Sequence, residues 1–297
     1  MIELKTEQLS VQFQTFGGAL SSIRDKDGIE YLWQGDPTYW SGQAPVLFPI
    51  CGSVRNDTVL YDQEDGSQVK GKIPRHGLVR KKEFELVEQT ENSVTFAIED
   101  DQDMYESYPY HFRLEITYTV TGKTIRTQYQ VTNKETDKKM PYFIGGHPGF
   151  NCPLFDDEAY EDYYLEFEKS ETCTVPKPFP ETGMLDFQDR SSWLKDQKEL
   201  DLNYDFFSYD AVTLDELASR SVSLRSRKHD KGLKLDFEEF PNLIVWSTLN
   251  KGPFLALEPW SGLSTSLEEG DHLEDKKNVR ILNPAQSDQI GFDIEIF

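Results

Sequence analysis

A chain of 297 residues, 37% hydrophobic and 13% aromatic, is long enough for one large all-β domain in which rings supply much of the core. Its formal charge of -22 argues against nucleic acid or anionic membrane as partners, and a heavily phosphorylated ligand would need a local basic pocket. Cys51, Cys152 and Cys173 have neither the even count of a disulfide framework nor metal-type spacing, which fits a reducing compartment.

The amino-terminal stretch lacks a basic start and an apolar h-region, and no apolar run approaches the ~20 residues that cross a bilayer. A cytoplasmic protein is expected. Leu9, Val11 and Phe13 alternate with polar residues, as in a half-buried strand. Gly17-Gly18 suggests a bend before a strand from Ala19, and residues 25–28 a turn before the sheet resumes at Glu30. Residues 40–57 carry rings, prolines and Arg55. They read either as a pocket wall or as a buried connection under the sheet. Thr58 to Tyr61 and Gln68 to Ile73 flank an Asp65-Gly66 turn and predict a hairpin. His76 follows in a Pro- and Gly-flanked loop.

Further hairpins are predicted over 83–98 and 112–131, where Phe112, Leu114, Ile116, Tyr118 and Val120 share one face. His111 falls on the polar side. The run from Pro141 climbs to Gly145-Gly146 and stops at His147, held in front of Pro148, which restricts its backbone. His147 is thus either a satisfied edge histidine or a placed titratable group. Beyond it, 155–162 and 174–180 read as long acidic loops around a short strand, Tyr163 to Phe167. Asp210 lies among aromatic residues, unfavourable for a charge without a partner. Leu214 and Leu217 have helical spacing, so a short helix is expected over 213–219. Strands follow at 222–224, 233–237 and 243–246, with His229 in a solvated tip. In Phe254 to Gly262 an apolar strand ends in Glu258, then Pro259 and Trp260, and restricted water there would raise the Glu258 pKa. His272 lies in a charged loop, and strands near 278–282 and 290–296 close the chain.

Repeats, low-complexity linkers and composition breaks are absent, so residues 1–297 are expected to form a single large antiparallel β-sandwich. Nucleotide-binding glycine motifs, HExxH and GxSxG are also absent. His76, His147, Asp210 and Glu258 could perform acid–base chemistry without a metal, or stand as a loop histidine, an edge histidine, an exposed turn aspartate and a glutamate satisfied by backbone donors.

Four motifs occur in order: Pro45-Val46-Leu47-Phe48-Pro49 with Gly52, Arg75 to Arg80, Gly146 to Phe150, and Leu257 to Gly262. Together they resemble the aldose 1-epimerase (galactose mutarotase) superfamily, most closely its LacX-type mutarotase-related branch. The resemblance implies a galactose mutarotase-like supersandwich and no cofactor or metal. It implies interconversion of the α and β anomers of a free hexose such as galactose or glucose. By resemblance, His147 matches the acid on the ring oxygen and Glu258 the base on the C1 hydroxyl, with His76 and Asp210 as sugar-hydroxyl partners. The branch commonly has Arg where this chain has Ser53, which makes nearby Arg55 the candidate for that contact. A non-catalytic sugar-binding protein and a hexose-6-phosphate epimerase are the alternatives. The expected geometry places His147 and Glu258 across a gap one pyranose wide.

Overall fold

The computed structural model describes residues 2–62 and 66–297. Nine antiparallel strands make the larger sheet, in the order Met184–Asp201, Tyr163–Phe179, Ser221–Ser226, Gly232–Asp236, Ser287–Ile296, Thr124–Asn133, Phe112–Thr121, Ser93–Glu99 and Glu85–Gln89. Alternation along Phe112–Thr121 translates directly into burial, with every second side chain inside. Its hairpin with Thr124–Asn133 is paired in one continuous register.

The smaller sheet runs Val212–Leu214, Asn242–Trp246, Phe254–Trp260, Gly145–Gly146 and Val46–Leu47, with Gly149–Asn151 also paired to Phe254–Trp260. Phe254–Trp260 is buried throughout, as expected of a strand covered on both faces. The two sheets pack closely. Phe48, next to Val46–Leu47, lies 4.8 Å centroid to centroid from Phe112 of the large sheet. A side chain at Gly146 would come within 3.0 Å of both the Phe292 ring and the Tyr129 hydroxyl, so only hydrogen fits there. The result is a galactose mutarotase-like sandwich whose core runs without a break from Leu4 to Ile296. A three-stranded amino-terminal sheet, one small hairpin and a two-stranded pairing of Met140–Tyr142 with Arg280–Leu282 complete it. In the predicted hairpin near residue 60, Thr58–Asp62 pairs with Gln68–Lys72, while Asp65 of its turn lies outside the described residues.

Three local expectations are corrected. Residues 155–162 are the expected loop and a strand begins at Tyr163 as expected, but the loop expected at 174–180 is the end of that strand, Tyr163–Phe179, which forms one long hairpin with Met184–Asp201. Beyond Phe167 its first strand leaves the main sheet and pairs only with the second, which forms the sheet edge. Four register shifts break the alternation, and Pro176 and Pro178 are accommodated in this two-stranded arm. Residues 213–219 form no helix, because Val212–Leu214 pairs with Asn242–Trp246 and the spacing of two leucines does not outweigh a sheet edge. His229 is not solvated at its hairpin tip. Its Nε2 lies 3.0 Å from Glu158 and 3.2 Å from the Tyr163 hydroxyl.

Among the described residues no helix is long and apolar enough to cross a membrane. No group of three or more His, Cys, Asp and Glu side chains among them is placed to hold a metal ion.

The loop that carries His76 is clamped through Gly77. Its φ is +83°, and a Cβ would fall 2.0 Å from the Phe48 carbonyl oxygen, which already accepts the Leu78 N–H at 2.8 Å. Gly77→Ala should therefore lower stability by about 1–3 kcal/mol or more. Urea unfolding reads this directly, and an unchanged midpoint would show that the clamp does not operate.

Candidate active site

The site grows out of strand register. Gly145 pairs with Trp260, and Gly149 pairs with Ala256. Two steps inward from either pair lead to His147 opposite Glu258. The ladder is interrupted there: the His147 N–H donates to the Pro45 carbonyl at 3.0 Å, and the Leu257 N–H to the Pro148 carbonyl at 3.2 Å. Both side chains enter a cavity of about 250 Å³ at the edge of the smaller sheet.

His147 Nε2 lies 3.3 Å from Glu258 Oε2, and both side chains are nearly inaccessible to solvent. The same carboxylate oxygen accepts the Trp260 indole N–H at 3.1 Å. Trp40 stacks on the imidazole at 4.8 Å, and Trp246 meets it edge-on at 5.5 Å. The expected gap of one ring width is thus replaced by direct contact.

Burial governs the charges. It raises the Glu258 carboxyl well above the ordinary carboxylate range, and nearby Asp210 pushes the same way. Burial also pushes the His147 imidazole down to about 3, helped by the positive charges of Arg80 and Arg75. Both partners are therefore driven toward their neutral forms, so the pair holds one exchangeable proton and no net charge. A zwitterionic pair, with that proton moved to the imidazole, has the same proton count.

His76 and Asp210 join the same cavity. The His76 ring is 5.4 Å from that of His147 and 5.5 Å from that of Trp260. Its Nδ1 accepts the Gly52 N–H at 3.3 Å, which leaves Nε2–H as the donor of a neutral ring. Burial, then the His147 charge, holds its pKa well below the usual histidine range. His76 and Asp210 have φ of +68° and +132°, conformations that non-glycine residues rarely adopt and that gather at functional sites.

Arg55 does not join them. Its guanidinium turns to the 266–271 loop, bonding Asp271 at 3.2 Å and the Glu269 carbonyl at 2.9 Å. Arg75 stands in the cavity instead. Its Nε donates to Ser53 Oγ at 2.9 Å, and its NH1 lies 3.7 Å from Asp210 Oδ2. An arginine from the neighbouring loop thus rests on the short side chain at position 53. Arg80 also lines the cavity, and no carboxylate among the described residues lies within salt-bridge distance of it. Both cations stand in the quoted Arg75 to Arg80 motif, so the signal was present. Proximity in sequence pointed to Arg55 instead.

The sequence profile of the aldose 1-epimerase family matches residues 1–280. The chain is 62% identical over 295 residues to the chromosomal LacX protein of Lactococcus lactis, covering 99% of each. Among solved structures, a galactose mutarotase related enzyme from Lactobacillus acidophilus superposes with a TM-score of 0.90 at 28% identity, over 100% of this chain and 97% of that one. A galactose mutarotase-like protein from Lactobacillus casei gives 0.89 at 27% identity, over the full length of both.

Two variants test this geometry. In the unfolded chain Glu258 titrates near 4.5, whereas the folded site keeps its proton to higher pH. The stability it contributes is present below 4.5 and is lost as pH rises toward the folded value. Glu258→Gln should therefore gain stability relative to wild type as pH rises from 5 to 8; a pH-independent difference in unfolding free energy would remove the shift. Arg55→Ala should loosen the 266–271 loop and leave sugar affinity unchanged in calorimetry, whereas a weakened sugar complex would return Arg55 to the site.

Proposed function

The chain belongs to the aldose 1-epimerase family, and we propose that it interconverts the α and β anomers of a hexose, with Glu258 as base and His147 as acid. The observation that carries this reading is the buried Nε2–Oε2 contact of 3.3 Å inside a cavity walled by Trp40, Trp246 and Trp260. A binding protein has no need of an acid and a base matched at one carbon.

The steps follow from the proton count. A hexose enters with C1 against the pair, and the shared proton passes to the imidazole, where the stacked Trp40 ring favours the cation. Glu258 then takes the proton of the C1 hydroxyl while His147 gives one to the ring oxygen, and the C1–O5 bond breaks. The open aldehyde turns about C1–C2. Reclosure on the other face returns the O5 proton to His147, and Glu258 protonates the carbonyl oxygen. The Trp260 indole stabilises Glu258 in its ionised form. His76 Nε2–H, Asp210 and Arg75 are the groups for the remaining hydroxyls.

Arg80 favours a second reading on the same chemistry. A half-buried guanidinium with no carboxylate in salt-bridge range among the described residues, beside Arg75, suits a sugar that carries an anionic substituent. Hexose 6-phosphates are the direct comparison.

Polarimetry of freshly dissolved α-glucose, α-galactose and glucose 6-phosphate tests both readings. Wild type should speed relaxation of at least one of them. Glu258→Gln and His147→Gln should each slow turnover by about 10²–10⁴ while binding persists. Binding without acceleration by wild type would leave a sugar-binding protein. Because the resting and working pairs hold equal numbers of protons, kcat/KM should stay level through pH 6.5, where an ordinary histidine acid would lose its proton. A decline centred there would show that the pair does not keep its proton at that pH.

A further inference from the structure

His147 borders two cavities. One is the site already described. The other lies between the two sheets and measures about 10 Å³, the lower end of the roughly 10–15 Å³ in which a single water fits. Tyr118, Thr127, Tyr129 and Phe292 line it from the large sheet, and Gly146 and His147 from the smaller one. All six are buried, so this space is closed off from the sugar side by the imidazole itself.

Two side-chain atoms of this lining are buried with no hydrogen-bond partner among the described residues, His147 Nδ1 and Thr127 Oγ1. Alternation along Thr124–Asn133 turns Thr127 inward with Ile125 and Tyr129, and its register sets it between Tyr118 and Phe292. The Tyr118 hydroxyl is already committed, donating to the Gly18 carbonyl at 2.9 Å. The Tyr129 hydroxyl stands beside Gly146, the residue before His147.

The proton count says what Nδ1 needs. Glu258 and His147 share one proton across the Nε2–Oε2 contact. Whether that proton rests on the carboxyl or on the imidazole, Nδ1 carries its own hydrogen and is a donor. A buried donor left unpaired is unfavourable, the more so when the ring is a cation.

We propose that this inner cavity holds one water that accepts the His147 Nδ1–H and bonds the Thr127 hydroxyl, which makes Thr127 a positioning residue for the acid. This rests on the acid role given to His147 above. The water has a third neighbour in the Tyr129 hydroxyl, and about three partners are usual for a buried water. It takes no proton from the ring. It fixes the tautomer that leaves Nε2 free to receive the Glu258 proton, and it steadies the imidazolium until Nε2 gives that proton to the ring oxygen.

Nuclear magnetic resonance of the full chain with nitrogen-15 histidine tests the water without any substrate. In wild type, Nδ1 should be protonated and its hydrogen should show a cross-peak to a slowly exchanging water. Thr127→Val keeps the shape and removes the hydroxyl, and should lose that cross-peak. Its kcat, on whichever sugar wild type turns over, should fall about tenfold or more, as for a lost hydrogen bond to a cation, with KM within about twofold. Thr127→Ser should restore both. An unprotonated Nδ1, an Nδ1–H without a water cross-peak, or a kcat loss that Thr127→Ser does not rescue overturns the proposal, as does a valine variant that behaves as wild type. The wild-type spectrum decides the water should the valine variant fail to fold. Failure of wild type to turn over any sugar overturns the acid role of His147, and with it the positioning role of Thr127, even with the water in place.

Discussion

One strand pairing underlies the whole arrangement. Phe254–Trp260 is bracketed by two short strands, Gly145–Gly146 and Gly149–Asn151, held in a single register although the ladder breaks between them. The break lies at His147-Pro148, where proline can offer no backbone donor. Two residues more than a hundred positions apart are thereby fixed opposite each other without any loop having to bring them together. A one-residue slip of Phe254–Trp260 would turn Glu258 to the other face of the sheet, away from His147, so correct folding and a correct pair are one event. The tight packing at Gly146, against the large sheet, resists such a slip.

Burial of that pair also decides its electrostatics. A carboxyl and an imidazole in water would titrate independently, one near 4.5 and the other near 6.5. Enclosed together they become a single unit that is neutral as a whole and stores one proton. Surface charge has little part in this. Most of the 53 acidic residues face solvent, while the cavity collects Arg75 and Arg80 against Asp210 and the neutral Glu258. The net charge of -22 therefore describes solubility and long-range repulsion, and it misdescribes the site, which is locally cationic.

What was legible in the sequence follows from how each feature is stabilised. The hairpin at 112–131 reads clearly because one face is buried and the other is not, so periodicity survives. His147 and Glu258 stand out because each ends an apolar run beside a proline. The long hairpin at 163–201 was hidden. Past Phe167 only scattered residues such as Cys173, Val175 and Leu194 reach the core, register shifts interrupt the pattern, and exposed charged residues mask the pairing. Arg55 was misjudged for a different reason. Sequence gave a position along the chain, whereas the loop clamped at Gly77 lays Arg75 over Ser53 from outside that segment. A contact between two loops leaves no periodicity to detect.

These differences divide the molecule by role. The proposed acid–base pair is set in the paired interior of the smaller sheet, where backbone hydrogen bonds fix the chain on either side of it. The other polar groups of the cavity, Arg75, His76, Arg80 and Asp210, are set on the loops at 75–80 and 205–213, which the sheet does not dictate. A pair that must exchange protons gains from rigidity, whereas loops can vary in sequence without disturbing it. Asp210 belongs to the loop group: it faces Arg75 at 3.7 Å, and its φ of +132° is a conformation that persists only where the surrounding structure holds it.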